Sequence, residues 1–307
     1  MDRAAAASER RVTGRVLVIG DLMTDIIVRP EGPLARGSDR RATIRIAPGG
    51  SAANQAAWLA HFGVAVDFAA RVGAADLEAE SARLAAAGVT PRLAGDANLP
   101  SGRLVALIDP SGERSFYTDR GANDALSPED IPNALIAGAA HIHLSGYALF
   151  APSPRAAVLS VMRRAGATPV SVDPASTEFL RELGPDTFLA LCAGASMIVP
   201  NADEAAALTG LADPERQCAR LADRFPLVVL KLGAAGCLAA AGAQRWRIPA
   251  PKVTVVDTTG AGDAFVAAFL AARTCGADIP EALAKAVAAG SAAASRLGGR
   301  PAASHTD

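Results

Sequence analysis

The sequence predicts an α/β fold: a doubly wound, mostly parallel sheet with helices on both faces, plus a small separate β-sheet. Short, continuous apolar runs recur along the chain, as expected for strands of a parallel sheet that is buried on both faces. Stretches of helix-forming residues fall between these runs, and this alternation is typical of α/β proteins. Two regions break the alternation, and they predict the small sheet.

The elements of the main sheet follow in order along the chain. The first predicted strand, Arg15–Gly20, ends at a glycine. Further strands are predicted at 66–70, 140–144, 169–172, 197–199 and 227–230, and helices at 52–62, 77–87, 154–165, 203–209 and 214–224. No repeat or linker divides the 307 residues, so we expect one domain over 15–303, preceded by a frayed, alanine-rich extension at 1–14.

The two exceptional regions read as exposed strands. Arg41–Ile46 alternates polar and apolar residues. Gly102–Ile108 and Arg114–Thr118 flank the turn sequence Asp109–Glu113, which predicts a hairpin. With Ile26–Val28 these segments predict a small sheet built from about 26–47 and 102–119. An edge extension of the main sheet is the alternative.

Composition excludes several classes of function. A net charge of −1 and a pI near 6.4 give no electrostatic reason to expect nucleic acid or an acidic membrane surface as a partner. The apolar runs are too short to cross a membrane, and Met1–Arg11 lacks the apolar core of a secretory signal. The four cysteines show no ligand spacing or disulfide framework, which favours a reduced, cytoplasmic location.

The stretch Asp257–Phe265 is the most informative part of the chain. Val253–Val256 before it reads as a strand or its exit, and 264–273 after it reads as a helix. The two glycines of the stretch let a ligand approach the backbone, and the N–H groups of the first helical turn bind phosphate oxygens. Asp263, at the same helix start, is placed to accept a hydroxyl proton. A simple helix cap is the structural alternative.

This stretch resembles the C-terminal signature of ribokinase-type (PfkB) carbohydrate kinases. The resemblance runs from about Arg15 to Pro301, with Gly-Asp, Gly-Gly…Asn, Asn-x-x-Glu and Leu-Gly-x-x-Gly motifs in the family order. It implies a ribokinase-like fold, and transfer of the ATP γ-phosphoryl group to a hydroxymethyl group of a small sugar. It also implies that Asp263 is the base, that the N–H groups of Gly260, Ala261 and Gly262 stabilise the transferred group, and that the small sheet is a lid.

The resemblance also assigns the sugar site. Asp25 and Asn54 match the family residues that hold sugar hydroxyls. The full set of predicted sugar ligands is Asp25, Gly49, Gly50, Ser51, Asn54, Tyr117 and Arg120. Met23 stands where ribokinases carry asparagine and Ser51 where they carry lysine, so ribose itself is not implied.

Nucleotide and metal ligands are assigned in the same way. The predicted ATP ligands are Asn201, Lys231, Gly233, Gly236, Gly260 and Gly262. Glu204 of the Asn-x-x-Glu motif is expected to act on Mg²⁺ through water, although Asn201 and Glu204 also have the spacing of a capping box. Asp257, Thr259 and Gly298 match residues that hold a monovalent cation, usually K⁺, in the family.

Other functions remain open at this point. A nucleoside kinase of the same fold shares every catalytic motif. A kinase of 2-keto-3-deoxygluconate is disfavoured, because Thr118 stands where those enzymes carry an arginine. A Rossmann dehydrogenase is disfavoured because no Gly-x-Gly-x-x-Gly follows Ile19, and a non-catalytic sugar-binding regulator would not need Asp263. A homodimer through the lid is an expectation.

Overall fold

The computed structural model describes residues 14–33, 36–109 and 113–301, so the predicted extension lies outside the described residues except for Gly14. The strands are β1 (Arg15–Ile19), β2 (Met23–Pro30), β3 (Ala42–Gly49), β4 (Ala65–Gly73), β5 (Thr90–Asp96), β6 (Gly102–Ile108), β7 (Arg114–Asp119), β8 (His141–Ser145), β9 (Val170–Asp173), β10 (Met197–Ile198), β11 (Leu227–Lys231), β12 (Cys237–Ala241) and β13 (Gln244–Ile248). The α-helices are α1 (Ser51–His61), α2 (Leu77–Ala86), α3 (Asn133–Ala137), α4 (Pro152–Arg164), α5 (Thr177–Leu183), α6 (Pro185–Leu191), α7 (Ala202–Thr209), α8 (Pro214–Ala222), α9 (Ala261–Thr274) and α10 (Ile279–Ala294).

The large sheet has the order β13-β12-β11-β10-β9-β8-β1-β4-β5. Strands β11 to β5 in that order are parallel, and β12 and β13 add an antiparallel edge. Alternate residues of β1 enter two separate cores, since Val16 and Val18 pack with α1, α2, α9 and α10, whereas Leu17 and Ile19 pack with α3 to α8. The predicted sheet, buried by helices on both faces, is confirmed.

A second sheet stands apart from the first, with the order β3-β2-β6-β7. Strands β2 and β6 are parallel and the outer pairs are antiparallel. The hairpin and the alternating strand are therefore confirmed, and the main sheet is not extended by them. The inner face of this sheet carries Asp25 and Ile27, and the outer face carries Ile26, Ile46 and Tyr117.

One predicted strand is wrong. Val253–Val256 is an irregular, exposed segment between β13 and α9. Val256 N–H donates to the carbonyl oxygen of Ala294 at the end of α10, so the segment is held by a helix instead of by a neighbouring strand. Among the described helices, none combines the length and apolar composition that a membrane crossing needs.

Candidate active site

The predicted site residues gather at the carboxyl edge of the parallel strands, where open α/β sheets bind their ligands. The chain leaves β1, β9 and β11 at this edge, and α1 and α9 begin there. Asp21 after β1 bonds to Ser51 at the start of α1, and Asp173 at the end of β9 bonds to Lys231 at the end of β11.

Helix α9 requires glycine at its N-cap position, immediately before Ala261. Gly260 is the N-cap residue with φ +72°, in the left-handed region, and a Cβ there would lie 2.3 Å from the carbonyl oxygen of Gly299. The first-turn N–H groups of a helix have no partner within the helix and attract anions. One predicted phosphate donor, Ala261 N–H, donates to the Thr258 carbonyl oxygen at 3.3 Å in this structure.

Asp263 lies in the first turn of α9 and meets two residues from the start of α1. Ser51 Oγ donates to Asp263 Oδ1 at 2.8 Å, and Asn54 Nδ2 donates to Oδ2 at 3.1 Å. Burial raises the pKa of Asp263 to about 7, and the two hydrogen bonds oppose that shift. The structure thus brings the predicted base and two predicted sugar ligands into direct contact.

The two glycines before α1 allow close approach of the first strands. Gly50 has φ +88°, and a Cβ there would lie 2.6 Å from the carbonyl oxygen of Asp21. A Cβ on Gly49 would overlap the carboxylate of Asp25, which contacts this glycine.

Burial, with a smaller contribution from Asp21, raises the pKa of Asp25 to about 6. The Asp21 carboxylate accepts the N–H of Ser51 at 3.0 Å, so it caps α1 and leaves Asp25 as the carboxylate facing the inner side of the small sheet.

Arg300 is a site residue that the sequence did not reveal. Its Nε donates to Asn54 Oδ1 at 3.0 Å and its Nη2 to the Gly49 carbonyl oxygen at 3.1 Å. Arg300 also opposes the raised pKa of Asp25. The segment that carries it is anchored on α1, where Trp58 Nε1 donates to the carbonyl oxygen of Gly299 at 3.0 Å. The signal in the sequence was limited to its position two residues after Gly298, a predicted cation ligand.

A second unrecognised residue is Asp173, to which the sequence assigned no chemistry. Lys231 Nζ lies 2.9 Å from Asp173 Oδ2, and Gln55 Nε2 donates to the same oxygen at 3.1 Å. Lys231 Nζ also lies 3.9 Å from the position that a Cβ on Gly262 would take. The ammonium group of this predicted ATP ligand therefore stands beside the helix start, charged and paired.

Asn201 and Glu204 form the capping box that their spacing predicts. Glu204 N–H donates to Asn201 Oδ1 at 2.8 Å, and the Glu204 carboxylate accepts Asn201 N–H at 2.8 Å and Asn201 Nδ2 at 2.7 Å. Glu204 is buried, and burial raises its pKa to about 7, against the influence of Lys231.

Asp257 connects the predicted cation ligands. Its Oδ1 accepts Thr259 Oγ1 at 2.7 Å and its Oδ2 accepts Gly298 N–H at 3.1 Å. The three residues are thus brought together as predicted, and Asp257 fixes the loop before α9 to the carboxyl-terminal segment.

Two cavities border the loop 257–262. One of about 590 Å³ is lined by Lys231, Gly233, Gly236, the exposed Val253–Val255 segment and Gly262. The other, of about 280 Å³, lies against the inner face of the small sheet. Its lining includes Asp25, Ile27, Arg29, Arg45, Leu104, Phe116, Asp257, Thr259 and Gly298.

Tyr117 and Arg120, two predicted sugar ligands, line neither cavity. Tyr117 pairs with Val105 on the outer face of the small sheet and is 66% exposed, so the structure does not bring it to the site. Arg120 Nε bonds to Asp124 Oδ1 at 3.1 Å, and its guanidinium lies over the Tyr147 ring, 5.0 Å from the centroid.

A carboxylate at a helix start, beside a loop that borders a large cavity and a smaller one, is the arrangement of an ATP-dependent phosphotransferase that acts on an alcohol group. Comparison with known proteins agrees. A family model described as pfkB family carbohydrate kinase matches residues 13–306, so this chain belongs to the pfkB family of carbohydrate kinases. The family resemblance inferred from the sequence is confirmed.

Individual relatives cover nearly the whole chain. It is 34% identical over 294 residues to an ATP-dependent ribose-1-phosphate kinase from Halopiger xanaduensis, covering 94% of both chains. The structure of an adenosine kinase from Sinorhizobium meliloti superposes with a TM-score of 0.85 at 27% identity, over 94% of this chain and 96% of that one. A putative ribokinase II from E. coli, in complex with ATP and Mg²⁺, gives a TM-score of 0.82 at 25% identity, over 93% and 94%.

Proposed function

We propose that this kinase transfers the γ-phosphoryl group of ATP to a hydroxymethyl group of a small sugar, with Asp263 as the general base. The observation that carries the proposal is the position of Asp263. Its carboxylate sits in the first turn of α9, held by Ser51 and Asn54, beside the loop that both cavities share. A buried carboxylate with a pKa of about 7 is matched to accepting a hydroxyl proton near neutral pH.

The larger cavity is the proposed nucleotide site. At about 590 Å³ it falls within the range of small-molecule pockets, and Val253, Val255 and Phe265 give it apolar walls for a base. The glycines at 233 and 236 leave room at its edge, and the cavity reaches Gly262 at the start of α9. This placement directs the phosphates of the nucleotide toward the N–H groups of α9.

The transferring group is stabilised mainly by fixed charges and dipoles. The amino end of α9 supplies N–H groups, and Lys231 supplies a positive charge that Asp173 keeps in place at 2.9 Å. Asp263 takes the proton of the attacking hydroxyl. Asp25 and Asn54 orient the sugar, and Arg300 holds the amide of Asn54 so that its Nδ2 faces Asp263.

The residues present fit a magnesium ion held largely by phosphates and water. Glu204 is buried at the same edge of the sheet with a raised pKa, and hydrogen bonds from Asn201 use only part of its acceptor capacity. The described residues contain no group of three or more metal-ligating side chains. Glu204 would suit Mg²⁺, which takes few protein carboxylates and keeps several waters, and the ion would supply positive charge beside the phosphates of the nucleotide.

We also propose a monovalent cation, K⁺ by family resemblance, beside Asp257, Thr259 and Gly298. Their hydrogen bonds gather oxygen atoms next to the anion-binding loop. A cytoplasmic location is proposed as well, which the four free cysteines support.

A nucleoside is the second candidate acceptor, because the small-sheet wall of the 280 Å³ cavity is largely apolar. Ile27, Leu104, Ala106 and Phe116 share that wall, and an aromatic base can pack against such a surface. The sugar proposal and this alternative share the same catalytic residues.

The decisive experiment measures ADP release with a panel of sugars, sugar derivatives and nucleosides. Asp263→Asn should lower kcat by about 100-fold or more, because the proton acceptor is lost, with little change in ATP binding. The variant side chain can keep both contacts, by accepting from Asn54 and donating to Ser51. A near-normal kcat in Asp263→Asn would remove the proposed base, and turnover of nucleosides alone would replace the sugar.

A further inference from the structure

The inner face of the small sheet carries two arginines that the proposed reaction does not use. Arg29 and Arg45 both line the 280 Å³ cavity that also contains Asp25. Within the described part of the chain, neither arginine takes part in an ion pair or a side-chain hydrogen bond. They are the positively charged members of the cavity lining.

Strand register fixes where these arginines stand relative to Asp25. Asp25 and Arg29 lie on the same strand with Ile27 between them on the same face, and Arg45 is directly opposite Ile27. At about 3.3 Å per residue, Arg29 lies about 13 Å from Asp25 along β2. Arg45 on β3 is level with Ile27, which lies about 7 Å from Asp25 along β2. Both side chains are long enough to meet over the cavity between these positions.

The carboxylates of the same cavity are already engaged. Asp25 lies in the field of Arg300, which opposes its raised pKa. Asp257 accepts hydrogen bonds from Thr259 and Gly298. Arg29 and Arg45 therefore have no described carboxylate to neutralise them. Both are exposed to solvent, so their guanidinium groups remain available to an anion that enters the cavity.

We propose that the sugar phosphorylated by this enzyme carries an anionic group, a phosphate or a carboxylate, which Arg45 and Arg29 bind. The inference rests on the proposed function and specifies its substrate class. The planar guanidinium group pairs with the two oxygens of either anion. The group lies on the far side of Asp25 from the reacting hydroxyl, because the arginines lie farther along the sheet than Asp25, away from α1 and Asp263.

The phosphates of ATP do not account for the two arginines. The proposed nucleotide cavity is lined by Lys231 and Gly262, whereas Arg29 and Arg45 line the other cavity. The positive charge beside the transferring group is Lys231, which is paired with Asp173. The arginine pair therefore serves the acceptor.

The test compares matched acceptors that keep a free hydroxymethyl group. ADP release is measured with ribose and ribose 1-phosphate, with fructose and its 1- and 6-phosphates, and with glucose and gluconate. We expect kcat/KM for at least one anionic member to exceed that of its neutral partner by about 10- to 100-fold, and its KM to rise with ionic strength. The phosphate and carboxylate arms separate the two anions.

Variants identify the binding residues. Arg45→Gln and Arg29→Gln should each raise KM for the preferred anionic acceptor by about tenfold or more, with KM for ATP unchanged. Arg103→Gln is the matched control, because Arg103 is an exposed arginine of the same sheet that pairs with Thr24 on the opposite face.

Two results would overturn the inference while leaving the kinase proposal intact. One is a neutral sugar or a nucleoside turned over as well as or better than every anionic acceptor. The other is an unchanged KM for the anionic acceptor in both arginine variants. No ADP release with any sugar or derivative would overturn the proposed function and this inference together.

Discussion

At the scale of single residues, the site depends on two neighbouring amides of α1 whose orientations are fixed from opposite sides. Arg300 donates to the oxygen of Asn54, so Asn54 Nδ2 points to Asp263. His143 Nε2 lies 2.8 Å from Gln55 Oε1, so Gln55 Nε2 points to Ser51 at 3.2 Å and to Asp173 at 3.1 Å. An amide whose oxygen is held cannot reverse without losing hydrogen bonds on both sides.

The hydrogen bonds that lead from His141 through Ser171 and His143 to Gln55 run in one direction. Burial lowers the pKa of His141 and His143 to about 3, so both imidazoles are neutral. Ser171 Oγ lies 2.7 Å from a nitrogen of each ring. If His143 Nε2 donates to Gln55, its Nδ1 must accept from Ser171, and Ser171 in turn accepts from His141. One N–H of the Gln55 amide then donates to Ser51, and the donors from His141 to Ser51 all point toward Asp263; the other N–H of Gln55 donates to Asp173. Aligned hydrogen bonds strengthen one another in a buried site.

Gln55→Leu tests this positioning role. The variant removes the donor to Ser51 and leaves the Ser51 hydroxyl free to turn away from Asp263, so we expect kcat to fall by about tenfold or more. The weakened hydrogen bond to the carboxylate should also move the acid limb of the pH–rate profile to higher pH. Gln217→Leu is the control, because Gln217 is equally buried but lies on α8 and bonds to Leu211. Equal kcat and pH effects in both variants would contradict the role.

The pH dependence of the unmodified enzyme follows from Asp263. As the proposed base, Asp263 must be deprotonated to accept a proton, and burial raises its pKa to about 7. We therefore expect kcat/KM for a neutral acceptor, measured as a pH–rate profile, to fall about tenfold per pH unit below about pH 7. A profile that stays flat down to pH 5.5 would contradict the raised pKa.

The same pKa has a consequence for stability. The folded state keeps the Asp263 proton to about pH 7, whereas an unfolded aspartate loses it near its ordinary value of 3.8. Between these values the folded state binds more protons, so the contribution of this group to stability falls as the pH rises. Asp263→Asn cannot lose a proton, so the variant does not lose stability in this way as the pH rises. Its melting temperature should therefore exceed that of the wild type at pH 8, by a margin that shrinks at pH 5.

At the scale of secondary-structure elements, the amino end of α9 depends on its packing against the carboxyl-terminal segment. Gly260→Ala should disrupt the amino end of α9 and its packing against that segment, because φ of Gly260 is +72° and the added Cβ would lie 2.3 Å from the Gly299 carbonyl oxygen. We expect the variant to lose most of its kcat and much of its ATP affinity, measured by ADP release and by nucleotide titration.

Gly276→Ala is the matched control for that substitution. Gly276 follows the other end of α9 with φ +81°, and a Cβ there meets nothing within 4 Å. Gly276→Ala introduces the same backbone strain, about 1 kcal/mol, without a close contact of the added Cβ. If the two variants lose activity equally, strain in the backbone and not the contact with Gly299 explains the loss.

The way in which each element is buried explains whether the sequence predicted it. The apolar strands in the centre of the sheet were predicted, because burial on both faces leaves continuous apolar runs. Helices α1, α2, α4, α7, α8 and α9 were predicted as well, whereas strands β5, β12 and β13 and helices α3, α5, α6 and α10 were not. Strand β5 lies at an edge and is only partly buried, and its sequence includes a proline and an arginine. Val253–Val256 shows the opposite error, since its β-branched residues line a cavity instead of pairing with a strand.

At the scale of the whole molecule, the site is assembled from residues far apart in the chain. Arg300 and Asn54 are 246 residues apart, and Asp263 and Asn54 are 209 apart. The signature motifs predicted Asp263, Ser51 and Asn54 because each carries a local glycine pattern. Arg300 and Asp173 were missed because no local pattern marks them, and only the folded chain shows what they contact.

The exposed apolar residues on the outer face of the small sheet predict an interface between chains. Ile44, Ile46 and Tyr117 are 62%, 73% and 66% exposed there, and Ile26 and Val105 pair with them across the strands. Contiguous exposed apolar surface of this kind marks an interaction site. We propose that a second copy of the chain covers this face, since the same four-stranded surface on two copies can bury itself around a two-fold axis.

Ile46→Lys should separate such a dimer, because a lysine at the centre of the apolar face brings an unpaired charge into the interface. Light scattering coupled to size exclusion should give twice the mass of the 31.1 kDa chain for the wild type and a single chain for the variant. Leu99→Lys is the control, because Leu99 is also an exposed apolar residue, 41% exposed, in the connection between β5 and β6. A wild type that is monomeric at micromolar concentration, or an Ile46→Lys variant that remains dimeric, would show that this face is not the interface. A monomeric variant that keeps its kcat would further show that each chain holds a complete site beneath its own small sheet.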